Sequence, residues 1–339
     1  MTPTRAVEHL VGLQAQEARP PFVALWSRLA GFDRAALAAP IRKRALVRVT
    51  AMRATLHLMT AKDYLRLRGA VQPVLTAAMT SVLRGRAAAL DVAAVTAAAV
   101  ACLADGPLTF DALRDALAAR FPDADVRAMG YAVRTHLPLV QVPTDDAAWA
   151  YPAAAGFTPA ATWLGATPAA DGGAEALVRR YLAAFGPATA ADVQTWTGLR
   201  GLAPVLARLR PTLTVLHDQD GRELFDLPDA PRPPEDVDAP VRFLPEFDNL
   251  VLGHADRRRV VADAHRPALV TKNLRVLATF LVDGMVAGTW KLERKRAAAT
   301  VTLTPFVTLR RAVRAALTDE GERLARFVEP DATHHAVVI

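Results

Sequence analysis

Two glutamines one residue apart, Gln14 and Gln16 in the run GLQAQ, have a spacing that allows joint chemistry. In an extended segment, side chains two apart project to the same side. On a helix they would lie about 200° apart and could not act on one atom. Paired primary amides carry both donors and acceptors, so they can aim a water molecule without giving it a negative charge. They are poor bases and suit only a reaction whose leaving group is already activated. Hydrolysis of an N-alkylated nucleobase is such a reaction, because the positively charged base departs readily. Taken alone, two glutamines between helices more commonly serve to satisfy backbone groups.

Other constellations are weaker. There is no G-x-S-x-G, no Walker loop, no Rossmann glycine fingerprint and no H-E-x-x-H. His254 with Asp256, and the pair His334-His335, have no further ligands at metal-binding spacing, so no metal and no cofactor are expected. Cys102 is the single cysteine, which excludes internal disulfides and a thiolate cluster. His57 alternates with Leu56 and Leu58 in TLHLMT and reads as a structural histidine on a strand. Basic side chains gather at Arg257, Arg258 and Arg259, and again at Lys291, Arg294 and Lys295. They are candidates for holding phosphates, against the competing use of such runs as solvated surface.

The elements that must position these groups follow from composition and punctuation. With 52% hydrophobic residues in 339, the chain has ample apolar surface for several compact units. The formal net charge of +7 suits a polyanionic partner, although an Arg- and Ala-rich composition can produce it without function. The Ala-rich run Val92 to Ala104 is shorter than the roughly 20 residues a bilayer span requires, so no membrane segment is expected. The opening MTPTRAVEH lacks the pattern of a secretory leader, and a cytoplasmic monomer is expected.

Pro/Gly-rich stretches at Thr158 to Glu175 and Asp229 to Pro240 divide the chain. A repeat sharpens the division: Gly106-Pro107-Leu108-Thr109 and Gly186-Pro187-Ala188-Thr189 each follow one amphipathic helix and open another. A third helix and two β-prone runs follow in each copy, at 139 to 152 and at 213 to 228. Three helices and a hairpin make the order of a winged helix. The N-terminal region reads as a further copy lacking its first helix, with AVEHLVGL and FVALWSRLAGF as helices and RALVRVTAM and TLHLMT as strands. Thr60 to Asp63 reads as a capping box opening a helix to about Arg84. The expected architecture is α+β: tandem winged-helix units over 1–90, 91–157 and 174–228, then a small C-terminal β-barrel with a closing helix over 241–339. VDGM is expected to turn a hairpin there.

The stretches LVGLQAQEARPPFVALWSRLAGF, ALVRVTAMRATLHLMTAKDY and FLPEFDNLVLGHADRRRVV resemble the winged-helix DNA-binding family that includes the AlkZ-like and YcaQ-like DNA glycosylases. The resemblance runs along nearly the whole chain. It implies a monofunctional glycosylase for N7-alkylated purines, bulky adducts included, in double-stranded DNA. In the AlkZ-like branch a Gln, apolar residue, Gln motif orients the hydrolytic water, and Gln14-Ala15-Gln16 matches it. The YcaQ-like branch, which unhooks interstrand crosslinks, carries Asp at the second polar position, where this chain has Gln16. A hairpin near the barrel probes DNA in the family. The alternative is a DNA-binding regulator or architectural protein without catalysis.

Overall fold

Proline, glycine and helix caps set the element boundaries in the computed structural model, which describes residues 1–170, 172–234 and 236–339. Asp171 in the first Pro/Gly-rich stretch and Glu235 in the second lie outside the described residues. The chain forms two compact units, Met1–Arg19 with Arg34–Ala230, and Pro20–Asp33 with Pro231–Ile339. Among the described residues no helix is long and apolar enough to cross a membrane.

The first unit opens with α1 (Pro3–His9), capped by the Thr2 hydroxyl, and β1 (Leu13–Gln14). The chain then supplies α2 (Pro20–Trp26) to the second unit and returns as α3 (Arg34–Arg42). β2 (Leu46–Thr50) and β3 (Leu56–Thr60) pair as an antiparallel hairpin. Three helices thus precede it, one more than hydrophobic periodicity reveals, because RAALAAPIR is Ala-rich and broken by Pro40.

Thr60 caps α4 (Ala61–Leu67), accepting from the Asp63 N–H at 3.0 Å. The reciprocal half of the expected capping box is replaced by a stronger partner. The Asp63 carboxylate takes both arms of the Arg180 guanidinium, at 2.6 and 3.0 Å. Nor does one helix run on to Arg84. The chain tightens at Gly69–Val71, and Pro73, which has no N–H to bond back, stands at the start of α5 (Gln72–Leu83).

Side-chain oxygens of Asp91, Thr109 and Asp125 cap the next three helices, α6 (Val92–Cys102), α7 (Phe110–Arg120) and α8 (Val126–His136). The hairpin expected at 139 to 152 does not form. β4 (Leu139–Gln141) pairs instead with β5 (Phe157–Pro159). Phe157 exchanges main-chain bonds with Leu108 at 3.2 and 2.7 Å and meets Phe110 edge-on, ring centroids 5.9 Å apart. The aromatic residues that made the earlier segment look β-prone lie under cations. Trp149 sits beneath Arg34 at 3.9 Å and Tyr151 beneath Arg48 at 5.3 Å. The strands complete one antiparallel sheet, in the order β1-β3-β2-β4-β5.

After α9 (Ala160–Leu164) come α10 (Ala174–Phe185), α11 (Ala190–Thr197) and α12 (Ala203–Leu209). Thr189 and Asp192 form a complete capping box on α11. β6 (Thr214–His217) and β7 (Glu223–Asp226) close as the hairpin expected between 213 and 228, with Gly221 at φ +76° in its turn. Tyr181, Phe185 and Trp196 cluster with centroids 5.3 to 5.5 Å apart. Val47, Val49 and Met59 from the sheet join the same core.

The second unit is built on β8 (Arg242–Leu244), α13 (Asn249–Leu252), β9 (Thr279–Val282), β10 (Met285–Lys295), β11 (Ala298–Pro305), α14 (Arg311–Val328) and β12 (His334–Val338). VDGM makes the expected turn, with Asp283 at φ +49° and Gly284 at φ +72°. The barrel does not. The sheet is an open ladder, β12-β11-β10-β9-β8, with β12 joined in parallel. Its apolar face is buried by α14 through Leu317, Leu324 and Val328, and a Cβ on Gly321 would stand 2.8 Å from Val337. A sheet covered by a helix need not close on itself. Arg28, just past the end of α2, bonds the fully buried Asp248 carboxylate at 2.7 and 2.9 Å.

The Asp63–Arg180 pair joins α4 to α10 with little solvent around the carboxylate. Asp63→Ala is expected to destabilise the first unit by about 3 kcal/mol in urea unfolding, because Arg180 is left without its counter-charge. A loss under about 1 kcal/mol would place the pair with ordinary surface bridges.

Candidate active site

The backbone around the two glutamines is shaped before their side chains are considered. Val11 at φ +61° and Gly12 at φ +132° turn the chain out of α1. A Cβ on Gly12 would lie 2.9 Å from the Met59 side chain, so only glycine fits there. β1 then pairs with β3, Leu13 opposite Leu58 and Gln14 opposite His57. The ladder continues through the Ala15 N–H, which donates to the Leu56 carbonyl at 2.7 Å. The segment is therefore extended through Ala15, the geometry that joint action of Gln14 and Gln16 requires.

Arg53 gathers the site. It lies in the turn between β2 and β3, where Arg53 (φ +54°) and Ala54 (φ +56°) are both left-handed, a costly conformation for residues with a Cβ. One guanidinium nitrogen donates to Gln14 Oε1 at 2.8 Å and to His57 Nε2 at 3.3 Å. The other donates to the Trp196 carbonyl at the end of α11. Gly198, at φ +82°, makes room: a Cβ there would stand 3.2 Å from the Arg53 backbone.

Arginine only donates, so this contact fixes the Gln14 amide with its oxygen toward Arg53 and its NH₂ turned elsewhere. It also fixes the His57 tautomer. Nε2 must accept, and Nδ1–H donates to the Thr55 carbonyl at 3.0 Å. His57 has no exposed surface. Burial, reinforced by the Arg53 charge, pushes it down to about 3, so the ring is neutral at physiological pH.

Gln16 is exposed, and its amide oxygen reaches toward the Leu56 N–H at 3.5 Å. Its main chain is held firmly. Buried Arg48 donates to the Ala15 carbonyl at 2.8 Å and to the Gln16 carbonyl at 2.9 Å. Burial lowers the Arg48 pKa, opposed by the Tyr151 and Glu17 charges. Arg48 and Arg53 are the support that motif reading missed, while His57 stands as the structural histidine expected on its strand. The only sequence signal was the polar interruption of two apolar strands by Arg48 and His57.

The predicted basic residues lie in the second unit. Arg257–Arg259 form a 3-10 turn, in which Asp256 caps the Arg258 N–H and binds its guanidinium at 2.6 to 3.0 Å. Burial, then the Arg266 charge, lowers the Arg257 pKa. Lys291, Arg294 and Lys295 lie near the tip of the β10–β11 hairpin. Lys291 pairs with Glu293 and Arg294 with Glu329, each at 3.0 Å, while Lys295 is exposed beside them. Arg258, Lys291 and Arg294 thus each meet a local carboxylate. Among the described residues, no group of three or more His, Cys, Asp or Glu side chains converges as metal ligands.

The family model for DNA glycosylase AlkZ-like proteins matches residues 7–327. A curated relative, the interstrand DNA cross-link repair glycosylase of Streptomyces sahachiroi, is 29% identical over 177 residues, which is 49% of this chain and 45% of the relative. The match therefore spans less than half of that protein. The solved structure of Streptomyces sahachiroi DNA glycosylase AlkZ has a TM-score of 0.76 to this chain, covering 100% of it and 93% of that chain at 23% identity. That likeness establishes a shared mixed α/β fold.

His57 carries a pH signature. Its pKa falls from 6.5 in the unfolded chain to about 3 in the folded one. Between these values the unfolded chain binds the extra proton, so stability falls as pH is lowered through this window. The slope is roughly 1.4 kcal/mol per pH unit. His57→Gln, whose amide oxygen can accept from Arg53, is expected to remove that one-proton slope from urea unfolding between about pH 6 and about pH 4. An unchanged slope would mean that His57 does not stay neutral in the folded chain.

Proposed function

The chain belongs to the AlkZ-like DNA glycosylase family, and from that membership and the Arg53-anchored Gln14 site we propose that it is a monofunctional DNA glycosylase hydrolysing the N-glycosidic bond of N7-alkylated purines in double-stranded DNA. The observation that carries this reading is the extended Gln14-Ala15-Gln16 segment with the Gln14 amide fixed from behind by Arg53. The helix triplets followed by strand pairs are read as winged helices that hold the duplex, with the open C-terminal sheet in place of the expected barrel.

The chemistry follows from what the amides can and cannot do. Gln14 and Gln16 together hold one water by hydrogen bonds, with a water lone pair facing C1′. Arg53 occupies one lone pair of Gln14 Oε1 and draws density from the other, which lowers an already weak basicity. His57 offers no help as a base, since its Nε2 lone pair is taken by Arg53. The water therefore attacks only when the sugar already carries oxocarbenium character, after a cationic base has begun to leave. The C1′–N9 bond breaks with its electrons going to the purine, which becomes neutral. The water oxygen forms the new C1′–O bond and loses a proton to solvent, leaving an abasic site. Gln14, Gln16, Arg53 and His57 include no amine that could form a Schiff base, so strand cleavage by that route is not expected.

Release of N7-methylguanine from a methylated duplex tests the reading. Gln14→Ala and Gln16→Ala are each expected to slow release by at least about 100-fold while duplex binding persists. Arg53→Met should fall almost as far, and combining it with Gln14→Ala should add little, since both act on one amide. A bulky N7 adduct and a crosslinked duplex belong in the same assay, the latter because the curated relative is named for repairing one. Tight binding without release of any of these bases would favour the non-catalytic regulator.

A further inference from the structure

Helix α8 carries a surface that the glutamine site does not use. Its Ala128, Met129, Ala132 and Val133 are buried in the core of their helix triplet. Arg127, Tyr131 and Arg134, spaced i, i+4 and i+7, stand along another face. That face borders a cavity of about 440 Å³. Its apolar floor is Phe110, whose ring lies 3.3 Å from where a Cβ on Gly130 would stand. A second hollow of about 570 Å³ shares Arg127 and adds Arg84 and Arg86 from the end of α5 and the turn after it.

Paired and unpaired arginines stand side by side on this face. Arg114, at the same cavity, is held by Asp111 at 2.8 Å and Asp115 at 3.1 Å, and Arg86 leans toward Asp125 at 3.8 Å. Arg84, Arg127 and Arg134 have no carboxylate partner among the described residues. In the next triplet, Arg208 is paired with Glu175 at 2.9 Å, Arg210 with Glu223 at 2.5 Å, and Arg222 with Asp218 at 2.6 Å. The strands that follow α8 are committed to the five-stranded sheet, β4 lying between β2 and β5. The helix, not its strands, is left to meet a ligand.

From these observations we propose that the Arg127, Tyr131 and Arg134 face of α8, flanked by Arg84, docks the sugar-phosphate backbone of duplex DNA. This rests on the reading of the chain as a duplex-binding enzyme. Arg127 and Arg134 are separated by about 10 Å along the helix axis, roughly the rise of three nucleotides on one strand. Their guanidinium groups would take phosphates in the planar, forked manner arginine favours. The Phe110 floor and the Tyr131 ring would meet the apolar sides of the sugars.

Binding of a short undamaged duplex to the full chain, followed by fluorescence anisotropy across a salt series, tests this. The paired variant Arg127→Gln with Arg134→Gln is expected to weaken binding and to reduce the slope of log affinity against log salt by about 1.8, at about 0.9 for each lost phosphate contact. Arg127→Lys with Arg134→Lys keeps both charges and should keep the slope. Tyr131→Ala should lower affinity with the slope unchanged. Arg127 is exposed, Arg134 is half-buried and Tyr131 packs in part against the triplet's core, so each variant's melting temperature is measured alongside, and an unchanged value confirms intact folding. A Gln pair that binds with wild-type affinity and slope overturns the proposal while leaving the glycosylase reading intact. A wild-type chain with no salt-sensitive duplex binding overturns both. Loss of an acidic protein partner's binding, with duplex binding untouched, would assign the face to that partner instead.

Discussion

One guanidinium ties together the elements around the glutamine segment of the first unit. Arg53 reaches the Gln14 amide on β1, the His57 ring on β3 and the Trp196 carbonyl at the end of α11. Hydrogen bonds to a charged donor contribute about 1.5 to 3 kcal/mol each. Two consecutive left-handed residues, Arg53 and Ala54, cost about 1 to 3 kcal/mol each. The bonds are of the size needed to offset the strain, so the turn is held in a conformation it would not choose alone. The absence of a side chain at Gly198 and at Gly12 is part of the same arrangement. Each gives way to a neighbouring segment, the Arg53 turn in one case and Met59 of β3 in the other.

A cation placed behind an amide decides what that amide can do. Gln14 is oriented but made less basic, and His57 is kept neutral by burial and by Arg53. Positioning is thereby separated from proton abstraction. A carboxylate at Gln14 would pair with Arg53 and bring general-base character, together with less discrimination against unmodified DNA. In the proposed reaction the amide would leave the rate dependent on how readily the base departs. On the proposed function, where intact purines would be in great excess, that dependence would itself be a source of selectivity.

The glutamine pair was legible because spacing alone separates an extended from a helical reading. The helix-ending Gly-Pro-Xaa-Thr repeats were legible because capping is local: Thr109 and Thr189 bond N–H groups three residues away. Arg53 was not, because its partners lie 39 and 143 residues distant, at Gln14 and Trp196. His57 read as structural, and its burial agrees with that; what the strand pattern hid is that β1 would place Gln14 opposite it. The basic clusters at Arg257 to Arg259 and at Lys291 to Lys295 stood out by density. Density does not reveal that Asp256, Glu293 and Glu329 stand beside them. The less conspicuous arginines of α8 were passed over for the same reason in reverse. Trp149 and Tyr151 suggested a strand by type, whereas their tertiary use is under Arg34 and Arg48.

The sheet order explains how an exposed Gln16 can still be well placed. β1 is an edge strand of only two residues, and its ladder ends where Gln16 begins. An edge of that length would fray if left to its own hydrogen bonds. Arg48 prevents this from one strand further in, taking the Ala15 and Gln16 carbonyls with one side chain. Arg48 is itself buried, stands opposite Gln141 of β4 across the β2–β4 pair, and carries the Tyr151 ring over its charge. Strand β4 and the segment that follows it therefore contribute to the geometry of a motif that precedes them by more than a hundred residues. The main chain at Gln16 is fixed by charge-assisted bonds, while its side chain is exposed, with one long contact from the Leu56 N–H. That division, a clamped backbone under an exposed amide, is what the proposed function would require of a short edge strand.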